Sequence, residues 1–124
     1  MNLPANTVDK HLAQSILTLL LGAAYSDGQF SDEEKYIVFE NLFSLNGFTE
    51  FTPEVQKTII HNSYDELENS DDMENLIKAN TKIISERGVY QKIFAIYAIT
   101  SVIIADKTIS EGELQYISSI LSSI

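Results

Sequence analysis

The stretch YSDGQFSDEEKYIVFENL, residues 25–42, contains the pattern that decides the fold. It follows an apolar helical pattern, passes through the turn pair Asp27-Gly28, and continues with Ser31 and Glu34 at the Ser-x-x-Glu spacing of a capping box. In a capping box the Ser hydroxyl accepts a hydrogen bond from the backbone N–H three residues on, and the Glu carboxylate accepts one from the Ser N–H. The stretch therefore predicts a helix, a short turn and a second, capped helix.

The same pattern returns near the C-terminus, in IADKTISEGELQYISSIL, residues 104–121. Asp106 lies 79 positions after Asp27, and the same offset relates the two Ser-x-x-Glu boxes, the second of which contains Ser110 and Glu113. Both copies share Asp-x-x-[Phe/Ile]-Ser-x-x-Glu and follow an apolar helical pattern. The repeat predicts two helical hairpins with pseudo-twofold character.

Apolar residues at helical spacing account for the rest of the chain, and no strand pattern competes with them. Six helices are predicted. The first covers about 9–25, the second runs from Ser31 to Asn46-Gly47, and the third starts at Thr52 with Pro53 at its first helical position. The fourth runs from Ser70 or Asp71 to Gly88, the fifth covers about 89–106, and the sixth follows Ser110. The fifth is apolar nearly all round, so we expect it in the centre. The sequence thus predicts one all-α domain over residues 1–124: a compact bundle of about six helices with two pseudo-repeated helical hairpins.

The charge excludes several classes of partner. The chain carries a net charge of −10, from 18 acidic against 8 basic residues, and has no Lys/Arg cluster. Nucleic acids and anionic membranes are bound through such clusters, so we expect neither as a partner. The longest apolar-rich run, residues 93–105, is too short for the roughly 20 residues of a membrane-spanning helix, so we expect no direct membrane insertion. The chain has no cysteine and no signal-peptide pattern, which indicates a cytoplasmic protein.

An acidic cluster marks YDELENSDDME, residues 64–74. One interpretation is a solvated helix–helix corner, in which the acids at its end favour the start of the next helix through the helix dipole. The other is a docking patch for cations or a basic protein. The candidate partner-binding residues are Asp65, Glu66, Glu68, Asp71, Asp72 and Glu74.

The first turn also resembles the end of an EF-hand calcium loop. With Glu34 at loop position twelve, Asp27 falls at position five, but Ala23 and Tyr25 then occupy positions one and three. Neither side chain offers a carboxylate or amide oxygen, and calcium needs six to eight oxygen ligands, so a complete EF-hand is not predicted.

A cation site shared by the two turns remains an alternative to capping alone. If the turns lie side by side, the carboxylates of Asp27, Glu34, Asp106 and Glu113 converge and repel one another unless a divalent cation or buried protons relieve them. Oxygen ligands select calcium, magnesium or manganese over zinc. No other cofactor is indicated.

The two turn motifs also indicate a family. LGAAYSDGQFSDEEKYIV, residues 21–38, followed by AITSVIIADKTISEGELQYI, residues 98–117, resembles the TerB-like (tellurite-resistance) superfamily. That superfamily has an Ala-rich helix that runs into an Ala-Asp-Gly turn followed by Glu, and a second such turn near the C-terminus. A related domain forms the N-terminal cytoplasmic part of a membrane-anchored DnaJ-like chaperone. This chain departs from the pattern at Ser26, where Ala is usual, and at Lys107, where the second Gly is expected.

The resemblance implies an all-helical fold with duplicated hairpins, and it implies metal binding by the acidic turn residues. By motif match these are Asp27, Glu34, Asp106 and Glu113. The positive charge of Lys107 beside Asp106 lowers cation occupancy at the second turn. Members of the family are associated with stress response, tellurite resistance and membrane-linked complexes.

Catalysis is not indicated. His11 and His61 have no companion at a spacing typical of a nucleophile–base pair, so a hydrolase is the weakest hypothesis. The six tyrosines fit core edges better than a binding cage. We expect a non-catalytic TerB-like binding module with a protein partner, or alternatively an acidic inhibitor or immunity-type protein that covers a basic toxin or nuclease. The sequence also allows a homodimer through an exposed apolar helix face.

Overall fold

A computed structural model describes residues 8–26, 32–45, 48–105 and 111–124. These ranges contain no β-strand, and they confirm the predicted all-α bundle of about six helices. Within them, none of the helices has the length and apolarity to cross a lipid bilayer. The helices are α1 (Lys10–Ser26), α2 (Asp32–Phe43), α3 (Pro53–Glu68), α4 (Met73–Ser85), α5 (Val89–Ala105) and α6 (Glu111–Ser123).

The central helix is α1, which contacts each of the other five. It is buried nearly all round between Leu12 and Gly22, including the polar Thr18. The prediction that α5 lies in the centre is therefore wrong. A polar residue fits into this central helix because the buried Thr18 hydroxyl has acceptors in the Gln14 carbonyl of α1 and the Glu66 carboxylate of α3, whereas α5 keeps an exposed apolar face.

The first helices of the two predicted hairpins, α1 and α5, pack against each other. The turns that follow them, residues 27–31 and 106–110, lie outside the described residues. The pseudo-twofold relation of the hairpins and the Ser31 and Ser110 capping boxes therefore stay predictions.

α3 begins as the sequence predicts. Thr52 is its N-cap in an extended conformation, and Pro53 occupies the first helical position. The Thr52 hydroxyl accepts a hydrogen bond from the Val55 N–H at 3.3 Å. One of the four unpaired N–H groups of the first turn is thus satisfied by the residue type that the sequence placed there.

α4 begins at a different residue from the one predicted. Its N-cap is Asp72, not Ser70 or Asp71, and Asp72 Oδ1 accepts from the backbone N–H groups of Glu74 at 3.0 Å and Asn75 at 3.4 Å. All three candidates are residue types that favour caps, so their local chemistry does not choose between them.

Gly88 starts α5 and does not end α4, which corrects a second boundary. α4 ends at Ser85, with Glu86 as its cap residue. The Gly88 carbonyl accepts the Lys92 N–H at 3.0 Å, and the Gly88 N–H donates to the side-chain Oε1 of Gln91 at 3.3 Å. A side chain three residues on that reaches back to the cap N–H is one half of a capping box.

The connection between α2 and α3 is anchored by Phe48, which is fully buried. Its ring stacks on Phe94 of α5 at a centroid distance of 5.3 Å, with Phe51 at 6.2 Å and Phe43 at 6.4 Å. One aromatic side chain thus joins α2, the connection and α5. The helical periodicity of the sequence did not single out this position.

Candidate functional site

The predicted cation site falls on residues that the structure does not describe. Asp27 and Asp106 belong to the two turns, and the side chains of Glu34 and Glu113 also lie outside the described part. Among the described residues, no three His, Asp or Glu side chains form a group that could hold a metal ion. Calcium, magnesium or manganese binding by these four carboxylates therefore stays a prediction.

Half of the acidic cluster is engaged in local contacts. Asp65 Oδ2 lies 3.3 Å from Nε2 of His61, and Glu74 Oε1 lies 3.6 Å from Nζ of Lys78, each pair one helical turn apart. Asp72 caps α4. These contacts fit the solvated-corner interpretation for three of the six acids.

Glu66 is directed into the protein. It is partly buried, and its Oε2 accepts the Thr18 hydroxyl at 2.9 Å and the Gln14 side-chain amide at 3.4 Å. Gln14 Oε1 in turn accepts the Asn62 amide at 3.2 Å, and the Gln14 carbonyl accepts the Ser63 hydroxyl at 3.4 Å. This α1–α3 polar seam gives Glu66 a structural role, because a partly buried carboxylate needs such donors.

Two acids remain for an external partner. Glu68 and Asp71 are exposed, and neither has an ion-pair partner within the part of the chain that the structure describes. The proposed docking patch on residues 64–74 thus has two unpaired carboxylates at its centre, with the exposed Asp65, Asp72 and Glu74 beside them.

The exposed side chains described on α5 carry no charge, although the chain as a whole is acidic. Val89 is 68% exposed, Tyr90 67%, Ile93 47% and Tyr97 53%. At 3.6 residues per turn these four side chains fall within an arc of about 100°. Lys92 is the only charged residue in the α5 sequence, and it lies outside this arc. We call these four residues the uncharged face of α5.

The other side of α5 fixes this face in place. The Tyr97 ring contacts Phe94 at a centroid distance of 6.3 Å, and Phe94 stacks on Phe48. The buried residues on that side are Phe94, Ala95, Ala98, Ile99 and Val102. The sequence did not assign an exposed apolar face to α5, because a helix that is apolar all round is usually buried. The sequence signal that could have indicated exposure is the pair Tyr90 and Tyr97, two turns apart on one side of the helix, because a tyrosine hydroxyl needs water or a hydrogen-bond partner.

An open cavity of about 320 Å³ lies between α4 and α6. Lys78, Lys82, Tyr116 and Ser119 are among its lining residues. Both lysines are exposed and form ion pairs along α4, Lys78 with Glu74 and Lys82 with Glu86 at 3.9 Å. No histidine is among the described residues that line this cavity.

Asp9 and Arg87 hold the start of α5 against the start of α1. Asp9 Oδ1 caps α1 by accepting the Leu12 N–H at 2.7 Å, and both terminal nitrogens of Arg87 donate to the Asp9 carboxylate. Partial burial raises the pKa of this carboxyl, but the hydrogen bonds from Arg87 and Leu12 and the charges of Arg87 and His11 outweigh it and hold the pKa below the ordinary value of an aspartate. The corner that leads into the uncharged face is thereby fixed.

Asp9→Asn is expected to lower the free energy of unfolding at neutral pH by about 1 kcal/mol, because the amide keeps the cap but loses the charge pair with Arg87. A lowered folded-state pKa stabilises the fold above the unfolded-state pKa, and this contribution is lost as the pH falls through the folded value. The difference between wild type and variant should therefore shrink below about pH 4. Urea unfolding at several pH values measures it. Asp71→Asn, at an exposed and unpaired carboxylate, is the control and should show little difference at neutral pH.

Comparison of the chain with models of known families, with curated proteins and with solved structures finds no match. The TerB-like resemblance therefore stays a prediction that rests on the two turn motifs. The fold and the described surface define the class directly: an acidic helical bundle that presents one uncharged apolar helix face.

Proposed function

We propose that this protein is a non-catalytic helical binding module that docks a protein partner on the uncharged face of α5. The observation that supports this is the grouping of four exposed apolar side chains in one arc without a charge, in a chain of net charge −10. Depletion of charge with enrichment of tyrosine is the compositional signal of an interface core.

The face has further properties of a binding surface. It stands on a packed layer formed by Phe94 and Phe48, so its side chains are positioned before any partner arrives. Tyr90 and Tyr97 offer a large contact area with few rotatable bonds, which limits the entropy lost on binding. Contiguous exposed apolar surface on a folded domain typically marks such a contact.

The resemblance to TerB-like proteins supplies a setting for this module. It would place the chain in a stress-response, tellurite-resistance-like or membrane-associated assembly. A divalent cation on Asp27, Glu34, Asp106 and Glu113 would belong to the same proposal. The α5 docking surface does not depend on that cation, because none of its four residues is a metal ligand type for calcium, magnesium or manganese.

A second candidate is the acidic inhibitor or immunity-type protein. The observation in its favour is that Glu68 and Asp71 are exposed and lack an ion-pair partner among the described residues. A basic toxin or nuclease would be drawn to these carboxylates by the field of the whole acidic protein. In this case the contact surface is the α3–α4 corner and not α5.

A photo-cross-linking amino acid placed at single positions separates the two candidates. In cells that produce the protein, we expect covalent adducts from position 97, and we expect Ile93→Glu to suppress them because a charge on the face opposes its desolvation. Position 57 on α3, where Lys57 is exposed on a helix other than α5, is the matched control. Denaturing electrophoresis followed by mass spectrometry identifies the adducts.

Adducts that form equally from positions 57 and 97 would contradict the proposal, because they would reflect random encounters. Adducts that form from position 71 and are absent from position 97 would favour the inhibitor candidate in its place.

A further inference from the structure

We infer that the occupant of the uncharged face of α5 is a second copy of this chain, packed about a twofold axis beside Ile93. This inference rests on the proposed function, because it names the partner of the same surface. It is carried by the charge and by the order of side-chain sizes along the helix.

Charge limits where a second copy can pack, and this face is the least opposed by repulsion. Two copies that each carry −10 repel one another, and the repulsion is smallest where the contact itself contains no carboxylate. The uncharged face of α5 meets that condition, since Val89, Tyr90, Ile93 and Tyr97 are its exposed side chains. A basic partner would gain nothing here, because it would bury its cations against apolar groups.

The sizes of the side chains favour an antiparallel contact. Val89, Ile93 and Tyr97 lie four residues apart and form a single ridge of the kind that packs into the grooves of a facing helix. When the ridge meets its own copy in the opposite direction, Ile93 contacts Ile93, and the small Val89 contacts the large Tyr97 of the second copy. An isologous contact requires this self-complementarity. Tyr90 flanks the ridge, where its hydroxyl stays in water.

The area buried in this contact is small, so the dimer is expected to be weak. Four side chains per copy bury less than the roughly 1,200 Å² of a standard interface, so the dimer should be reversible and should dissociate on dilution. The fixed base of the face, formed by Phe94 and the Asp9–Arg87 pair, favours association because little ordering is needed.

Sedimentation velocity over a dilution series of the wild-type chain is the first test. We expect a dimer at high concentration that gives way to monomer on dilution. Ile93→Glu and Ile93→Lys should each weaken association by about tenfold or more, because both place like charges against each other at the axis. An equimolar mixture of the two variants should recover the dimer, since the charges are then opposite.

Two further variants test direction and fold. Val89→Tyr and Tyr97→Val should each weaken the dimer, and the double variant V89Y/Y97V should restore it, because an antiparallel contact again pairs a large with a small side chain. Met73→Glu, at an apolar residue that is 37% exposed on α4, is the matched control and should leave the dimer unchanged. Thermal unfolding of each variant checks that it folds; Ile93 is 47% exposed, so its replacement opens no core cavity.

A wild-type chain that stays monomeric throughout the series would overturn the inference, as would a mixture of Ile93→Glu and Ile93→Lys that stays monomeric. If adducts from position 97 then join this chain to a different protein, the proposed function survives and only the second copy is rejected. If no specific adducts form from position 97, both fail.

Discussion

Phe48→Ala is expected to lower the free energy of unfolding by about 3–5 kcal/mol, the range for a large aromatic removed from a packed interior. Phe48 is fully buried although it lies in a connection, and its ring contacts Phe43, Phe51 and Phe94. Loss of the ring leaves a cavity between three aromatic neighbours that belong to α2, the connection and α5. Rigid rings held by different elements close such a cavity poorly, so the loss should lie toward the upper part of the range.

Urea unfolding followed by circular dichroism measures this loss. Phe51→Ala is the matched control: Phe51 lies in the same connection and contacts Phe48, but it is only partly buried, so it should lose clearly less stability. A Phe48→Ala variant that loses no more than Phe51→Ala would show that Phe48 does not anchor the connection. Phe48→Leu fills part of the space, so its loss of stability should lie between those of Phe48→Ala and Phe51→Ala.

The existence of the helices follows from local signals in the sequence. The Thr52-Pro53 start of α3 was predicted correctly because a cap and the first turn that it satisfies lie within four residues of each other. The same local rules could not choose Asp72 over its neighbours, and they assigned Gly88 to the end of α4 when its hydrogen bonds start α5. In the first case adjacent residues suit one role, and in the second case one residue suits two roles, so the path of the chain decides in both.

The position of a helix within the bundle depends on contacts that are distant in sequence. The hydroxyl of the buried Thr18 in α1 has two acceptors, the Gln14 carbonyl one turn back at 2.8 Å and the Glu66 carboxylate of α3, 48 positions away, at 2.9 Å. From residue type alone, a polar residue in α1 argues for exposure, and the apolar α5 looks like the better central helix. The burial of Phe48 depends in the same way on Phe94 of α5.

The candidate sites also depend partly on local sequence and partly on contacts that are distant in sequence. The acidic cluster is visible in the sequence, but the sequence could not tell that Glu66 is directed into the protein while Glu68, two residues on, is exposed. Residues two positions apart lie on different sides of a helix, and only the packing of α3 on α1 shows which side faces the interior. The uncharged face of α5 emerged in the same way, once one side of that helix was covered by Phe48 and its neighbours.

The close approach of α6 to α1 depends on Gly22. Tyr116 of α6 donates its hydroxyl hydrogen to the Leu19 carbonyl at 3.0 Å, and a methyl group at position 22 would lie only 2.6 Å from Tyr116 Oη. Real contacts of this kind do not occur, so Tyr116 would have to move and give up its hydrogen bond. Burial raises the pKa of the Tyr116 phenol, which keeps it a neutral donor throughout the physiological pH range.

The effect of Gly22→Ala on the free energy of unfolding should therefore change sign with the residue at position 116. In the wild type we expect it to lower the free energy of unfolding by about 1–3 kcal/mol, because the overpacking outweighs the better helix propensity of alanine. In a Tyr116→Phe background the oxygen is gone and the nearest remaining ring atom, Cζ, lies 3.6 Å from the added methyl, an ordinary contact. There the same substitution should raise the free energy of unfolding by up to about 1 kcal/mol.

A double-mutant cycle by urea unfolding measures this coupling directly. Gly88→Ala, where an added methyl would lie 3.9 Å from the flexible side chain of Gln91, is the matched control and should show no dependence on residue 116. Equal effects of Gly22→Ala in the two backgrounds would mean that the Tyr116 hydroxyl does not lie over Gly22. Reversal of the sign would establish that the α1–α6 contact requires a glycine because of one oxygen atom, since alanine at the same position is otherwise the better helix former.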